Sequence, residues 1–403
     1  MRLAVLTAGL LLLAASSAGL FFTVGEARGE IPGALRFLAP SQALEREAAE
    51  LIAREGPLAF PRAETVLRDA VRRDPSSAYR WAALGEHYLA TERIAQARRC
   101  MTRAAELGPN MAQILIRNAN FHFTLDEPAA AMSYGRRILA LIPDYDALVF
   151  AVYARMSIPA AEVLKSGVPP LGRPAAAYFR SLVERGAESE LDPVWNWLEA
   201  HGWSDDKLAS DYAGHLLARN EHTSAVRVWA RHLGERRGSY PDLNRVYNGG
   251  FEEELTPAVL DWKLRPADGA MSARESGMVH GGKTSLRVDF LGVANVAFDH
   301  VAQAVVVEPG VYRFRAFIKT NDITTDQGVR FRIADAVSPA RFETITDSIS
   351  GTIDWTEVDR VIRIPAATRL VSVQVVRQAS MKFDNKIRGT AWVDDVSLTP
   401  VAR

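Results

Sequence analysis

The chain has 403 residues, 48% of them apolar, enough for two or three separate cores and too apolar for a disordered tail. Its 48 basic and 48 acidic residues cancel to zero net charge and a pI near 7.1, which gives no support for a nucleic-acid partner. The lone Cys100 excludes an intrachain disulfide or thiolate metal site and reads as a buried, inert thiol.

Met1 and Arg2 precede an uncharged apolar stretch, Leu3–Val24, whose length as a helix is about 33 Å, sufficient for a bilayer core. Residues 1–24 are therefore expected to be a signal anchor or signal peptide. Small residues at Ala14–Ala18 suit cleavage, but Leu20, Phe21 and Phe22 prolong the apolar run and favour an uncleaved anchor. The charged start stays inside, so the expected location is a bacterial inner membrane with the soluble part periplasmic or extracytoplasmic, and secreted if cleaved. Residues 25–40, carrying Gly25, Gly29, Pro32, Gly33 and Pro40, form a linker.

A repeat organises residues 41–235. Pro75, Pro109 and Pro143 recur 34 positions apart, a period that marks stacked helix pairs unable to bury their apolar faces alone. Trp81, Leu84, Gly85 and Tyr88 share one face of a first helix; Ala97, Met101 and Ala104 form the stripe on the second, and Pro109 stops it. The next unit, from Ala112 to about Tyr145, is a degenerate copy with His122 and Gly135 at two key positions. Ala63, Leu67 and Ala70 supply an upstream second helix, with residues 41–55 as its partner. After Tyr145 the register slips, with a truncated helix at Pro159–Lys165, before a last pair carrying Tyr212, Ala213, Leu216, Ala225 and Trp229.

This spacing resembles the tetratricopeptide repeat. The resemblance implies an α-solenoid that holds a protein or peptide partner, with Trp81, Leu84, Gly85, Tyr88, Ala97, Ala104 and Pro109 as repeat-packing residues. Arg93, Arg98, Arg99 and Arg103 read as a solvated helix face.

Helical periodicity breaks at 236–243, a linker. From 244 to 403 apolar and β-branched runs alternate with Gly, Pro, Asn and Asp, predicting strands over Thr284–Phe290, Val301–Val307, Tyr312–Thr320, Val329–Ala334, Thr356–Ile364, Val371–Arg377 and Ala391–Leu398. Asn248-Gly249-Gly250-Phe251-Glu252 opens this region, Gly282–Val288 and Val307–Tyr312 follow, and Trp392-Val393-Asp394-Asp395-Val396-Ser397-Leu398 closes it. In this order the segments resemble the jelly-roll carbohydrate-binding modules of the galactose-binding-like class. The fold expected is thus multidomain α and β: an N-terminal helix, a solenoid and an antiparallel β-sandwich.

The jelly-roll resemblance implies neighbouring first and last segments that often hold a structural calcium, with Glu252, Asp395 and oxygens near Asn248 as ligands; no other cofactor is required. Those carboxylates also suit capping of backbone amides. Alternation sends Arg313, Arg315, Phe317 and Lys319 to one face of their strand, and Arg330, Arg332 and Gln374 alternate likewise, so an arginine-bearing face suits an anionic polysaccharide. A solvated outer face is the plainer account. Trp355 and Trp262 are the expected exposed aromatics.

No H-E-x-x-H, G-x-S-x-G or phosphate-loop motif occurs, and no interior strand offers the E-x-D-x-E pattern of a jelly-roll glycosidase. The expectation is a non-enzymatic exported adaptor, its repeats binding a protein and its sandwich a cell-envelope polysaccharide, in polysaccharide assembly or export. The alternatives are a structural protein scaffold whose sandwich has lost sugar binding and, third, a glycan-active enzyme.

Overall fold

A computed structural model describes residues 41–401. The expected anchor at 1–24 and the linker at 25–40 lie outside the described residues. Among those described, no helix is long and apolar enough to cross a membrane. The inner-membrane location is therefore corrected: nothing in the described chain supports it. The chain divides into two compact units at Leu198/Glu199, so the expected linker at 236–243 falls inside the second.

The first unit is helical. Its helices are α1 (Ser41–Glu55), α2 (Phe60–Arg73), α3 (Ala78–Ala90), α4 (Ile94–Leu107), α5 (Ala112–Thr124), α6 (Pro128–Leu141), α7 (Asp146–Arg155), α8 (Gly172–Arg185) and α9 (Glu188–Ala200), the last ending just past the boundary. The truncated helix is a single turn, Ala160–Glu162, running into a π turn at Val163–Gly167.

The repeat face packs as its spacing requires. Leu84, Ala97, Met101 and Ala104 are buried, and a Cβ on Gly85 would lie 2.8 Å from Met101 Sδ and 3.2 Å from Cys100 Cβ. The bare glycine lets α4 close on α3. Tyr88 is buried; its hydroxyl donates to Glu64 at 3.2 Å, and the Arg93 guanidinium stands 4.5 Å over its ring. Trp81 is only half-buried and donates its indole N–H to the Pro75 carbonyl at 2.9 Å, fastening one repeat to the preceding turn. Pro109 is a correction to the packing set: it is exposed, and its work is to end the helix and to present its carbonyl to Arg137. In the degenerate copy His122 stacks on Tyr134 and contacts Glu127 at 2.7 Å, while Gly135 makes room for the Tyr153 hydroxyl.

The second unit opens with α10 (Asp206–Ala218), N-capped by Asp205 on the Leu208 amide, and α11 (His222–Leu233). Ten strands follow: β1 (Lys263–Leu264), β2 (Ala270–Glu275), β3 (Ser285–Leu291), β4 (Phe298–Val306), β5 (Gly310–Ile323), β6 (Arg330–Asp335), β7 (Glu343–Ile345), β8 (Gly351–Ile364), β9 (Leu370–Arg377) and β10 (Arg388–Pro400). All seven expected strands form. The short β1, β2 and β7 come in addition; each is an edge strand with too few inward residues to show a period.

They make two five-stranded antiparallel sheets, β1-β4-β9-β6-β7 and β2-β3-β10-β5-β8. With the extra edge strands β1 and β2 set aside, β3 to β10 counted one to eight read 1-8-3-6 in one sheet and 2-7-4-5 in the other. That is jelly-roll connectivity, established by strand order. Between the sheets lie Leu286, Val288, Phe314, Phe331, Val373, Val375 and Val393, all at 0% exposure, with Phe314 edge-on to Phe331 at 4.9 Å. The last helix pair is bound to the start of the sandwich: Trp229 meets Tyr247 edge-on at 6.0 Å, and the Val259 amide donates to Ser210 at 2.8 Å.

Candidate functional site

Strand pairing decides which side chains share a surface. On β5, Tyr312, Phe314, Ala316 and Ile318 point into the core, while Arg313, Arg315, Phe317 and Lys319 face outward, as alternation requires. β8 lies beside β5, with Phe317 opposite Glu357, and β10 lies on the other side, with Phe317 opposite Asp394. Trp355, two residues from Glu357, therefore stands on the same outer face.

The cations around Phe317 and Trp392 are paired with carboxylates. Arg313 pairs with Asp359, Arg315 with Glu357, and Lys319 with Asp354 at 2.6 Å. On β3, Arg287 bridges Asp289 at 2.8 Å and Glu275 at 3.4 Å, and Trp392 donates its indole N–H to Glu275 at 2.7 Å. The Arg313 guanidinium holds the Asp359 carboxyl below its usual range, and Lys319 does the same for Asp354. A ladder of matched pairs exerts little net pull on an anion, so the preference for an anionic glycan expected from the arginines is not carried by this geometry.

Its distinctive element is aromatic. The His280 ring lies flat on Phe317, centroids 3.6 Å apart at 13°, and meets Trp355 edge-on at 5.6 Å. His280 belongs to the loop between β2 and β3, and the motif segments at the two ends of the domain hold that loop. Asp394, on β10 and at 0% exposure, accepts the His280 amide at 2.8 Å and the Gly281 amide at 3.2 Å. Asp395 contacts His280 Nδ1 at 2.7 Å. Glu252 accepts the amides of Lys283 at 2.8 Å and Thr284 at 3.2 Å, and the Thr284 hydroxyl donates to the Phe251 carbonyl at 2.6 Å. Burial pushes the Asp394 carboxyl up, against the pull of its backbone donors.

The calcium candidates Glu252 and Asp395 serve these contacts. Asn248 closes its own turn, accepting the Glu253 amide and donating to the Glu253 carbonyl, both at 3.0 Å. Among the described residues no group of three or more His, Cys, Asp or Glu side chains is placed to hold a metal ion.

Beside the aromatic platform lies a cleft of about 530 Å³, lined among others by Arg236, Asn244, Glu253, Arg315, Phe317 and Asp395. It joins an apolar ring to donors and acceptors of both signs. Arg330, Arg332 and Gln374 are elsewhere: β6 and β9 belong to the other sheet. There Arg332 contacts Glu343 at 2.5 Å and Gln374 at 2.9 Å, Arg330 reaches Gln327 at 2.7 Å, and Gln374 itself is buried. Alternation along a strand reports inside or outside but not which sheet, so these three are corrected out of the Arg313–Phe317 set. Trp262 is likewise core, 1% exposed, against Phe251 at 5.2 Å and donating to the Asn248 carbonyl at 3.2 Å. His280 escaped sequence reading because its partners lie 37, 75 and 115 positions away; the adjacent Gly281-Gly282 pair was its only local signal.

No family model matches the sequence, and no curated protein matches it. Solved structures similar to this chain include TmCBM61 in complex with β-1,4-galactotriose, 19% identical, covering 39% of this chain and 99% of that one with a TM-score of 0.27. A second is a family 16 carbohydrate-binding module, 17% identical, covering 39% of this chain and 99% of that one, TM-score 0.29. A third is described as a xylan-binding domain from CBM 22, 17% identical, covering 40% and 97%, TM-score 0.28. The jelly-roll assignment rests on strand order, and the chain is similar to carbohydrate-binding modules over about two-fifths of its length.

Proposed function

We propose that the β-sandwich binds a glycan on the outer face of the β2-β3-β10-β5-β8 sheet, and that the helical repeats, which resemble tetratricopeptide repeats, hold a protein partner. The chain is then a non-enzymatic adaptor between a polysaccharide and a protein. The observation that carries the glycan half is the His280–Phe317–Trp355 cluster at the edge of the polar cleft. A pyranose ring has an apolar C–H face and a rim of hydroxyls; it needs an aromatic surface beside fixed donors and acceptors. Arg315, Asn244, Glu253 and Asp395 supply the latter. Because Arg313, Arg315 and Lys319 around Phe317 are charge-paired, neutral glycans are the favoured class.

The test is an array of neutral and acidic glycans read with the full chain, followed by calorimetry on the best binder. Phe317→Ala and Trp355→Ala, half-buried positions whose loss leaves the core intact, should each weaken binding about tenfold, or 1.4 kcal/mol. A folded chain that binds no glycan would return the sandwich to the scaffold role.

A further inference from the structure

The first unit carries a second groove, of about 520 Å³, walled by two second helices, α2 and α4, over a floor from α3. Its walls present Arg68 and Arg72 from α2 and Arg99 and Arg103 from α4, with Gln96 as a neutral polar group, and no carboxylate lines it. Leu84 and Trp81 form the floor, with Val71 at the foot of the α2 wall. The Trp81 indole N–H is already spent on the Pro75 carbonyl, so what the ring offers is its apolar surface. Burial pushes the Cys100 thiol up to about 11, making it one more apolar neighbour.

The arginines are loosely held. Arg68 stands 3.8 Å from Glu64, and Arg72 and Arg103 pair with Asp69 and Glu106 three residues away on their own helices, in pairs mostly open to solvent. Such exposed pairs are weak and yield readily to a better partner. Arg99 has no carboxylate partner among the described residues. Four guanidinium groups above an apolar floor contrast with the sandwich face, where every outward cation named above is matched across strands.

We infer that this groove binds an acidic peptide segment in which carboxylates alternate with large apolar side chains. The inference rests on the adaptor reading and names the partner class it leaves open. Carboxylates take the guanidinium forks in bidentate pairs, and the apolar side chains between them cover Val71, Leu84 and Trp81. A sugar is the poorer match, since hydroxyls need acceptors as well as donors and the lining has almost none.

The experiment is fluorescence anisotropy with the full chain and three labelled peptides: four repeats of Glu-Glu-Leu, the same with Gln for Glu, and the same with Lys for Glu. The acidic peptide alone should bind, more weakly as salt rises. Arg99→Glu should weaken it about tenfold, Arg99→Lys less, and Arg227→Glu, an equal charge change at an exposed position on α11, less than about twofold. Equal effects of Arg99→Glu and Arg227→Glu overturn the groove assignment. Binding of the Gln or Lys peptide in preference to the acidic one overturns the inference and keeps the adaptor reading; binding of no peptide overturns both. Polygalacturonate displacing the acidic peptide at equal carboxylate concentration transfers the site to a glycan and overturns the peptide assignment.

Discussion

Gly249 and Gly250 stand side by side in the segment that clamps the His280 loop, and they should respond oppositely to alanine. A Cβ on Gly249 would collide with the Val396 carbonyl oxygen and sit 2.9 Å from its carbon, backbone atoms that cannot rotate away. Relief needs a shift of about 1 Å, which stretches the 2.9 Å bond from the Val396 amide to the Gly249 carbonyl and disturbs Val396, 1% exposed. Overpacking of about 1–3 kcal/mol plus about 1 kcal/mol for the weakened hydrogen bond puts Gly249→Ala at about 2–4 kcal/mol. A Cβ on Gly250 meets nothing nearer than Asp395 Oδ1 at 3.6 Å, and neither glycine has a positive φ, so Gly250→Ala should stay within about 0.5 kcal/mol. Near-UV circular dichroism of the full chain, which sums over its eight tryptophans including the buried Trp262, should show the sandwich transition of Gly249→Ala lowered by about 5–15 °C and that of Gly250→Ala nearly unmoved. Glycan binding by Gly249→Ala should fall as well, since Asn248 and Glu252 flank it. Equal melting of the two variants would refute the close approach of the opening segment to β10 at Val396.

The helical unit allows a parallel contrast. Gly85→Ala meets the flexible Met101 side chain and should be within about 1 kcal/mol of the parent, whereas Gly135→Ala collides with the buried Tyr153 hydroxyl and should cost about 1–3 kcal/mol, both read from urea midpoints. The Arg98 guanidinium, aided by His122, lowers Glu127 from 4.5 to about 2; its contribution is present above the unfolded value and lost as pH falls through about 2. Glu127→Gln should therefore flatten the fall in helical stability between about pH 5 and pH 2, measured by far-UV circular dichroism. Arg377, 1% exposed, donates to Asn295 and Val296 at 2.7 and 2.6 Å and to Gln327, Thr325 and Asn385 at 3.1–3.3 Å. Arg377→Met should cost about 3 kcal/mol by stranding those acceptors, and an unchanged urea midpoint would show that water replaces the guanidinium.

What could be read in the sequence was periodic and local. The 34-residue recurrence and the Trp81-Leu84-Gly85-Tyr88 face specify helix pairs because neighbours three and four apart share a helix side. Seven strands and the inward set of β5 follow from alternation with period two. These patterns arise from backbone geometry within about ten residues, so no tertiary knowledge is needed to see them. Which outward faces join is a different matter. Arg315 and Arg332 alternate identically, yet antiparallel pairing places β5 and β6 in opposite sheets. The site itself is assembled by contacts of long range: Glu252 with Lys283, Asp394 with His280, and His280 with Phe317 and Trp355. Only the closed jelly roll brings its first segment, its last strand and a glycine-rich loop to one end, and it does so because core burial fixes the strand register. Individual residues determined the faces; the tertiary structure alone decided which faces meet.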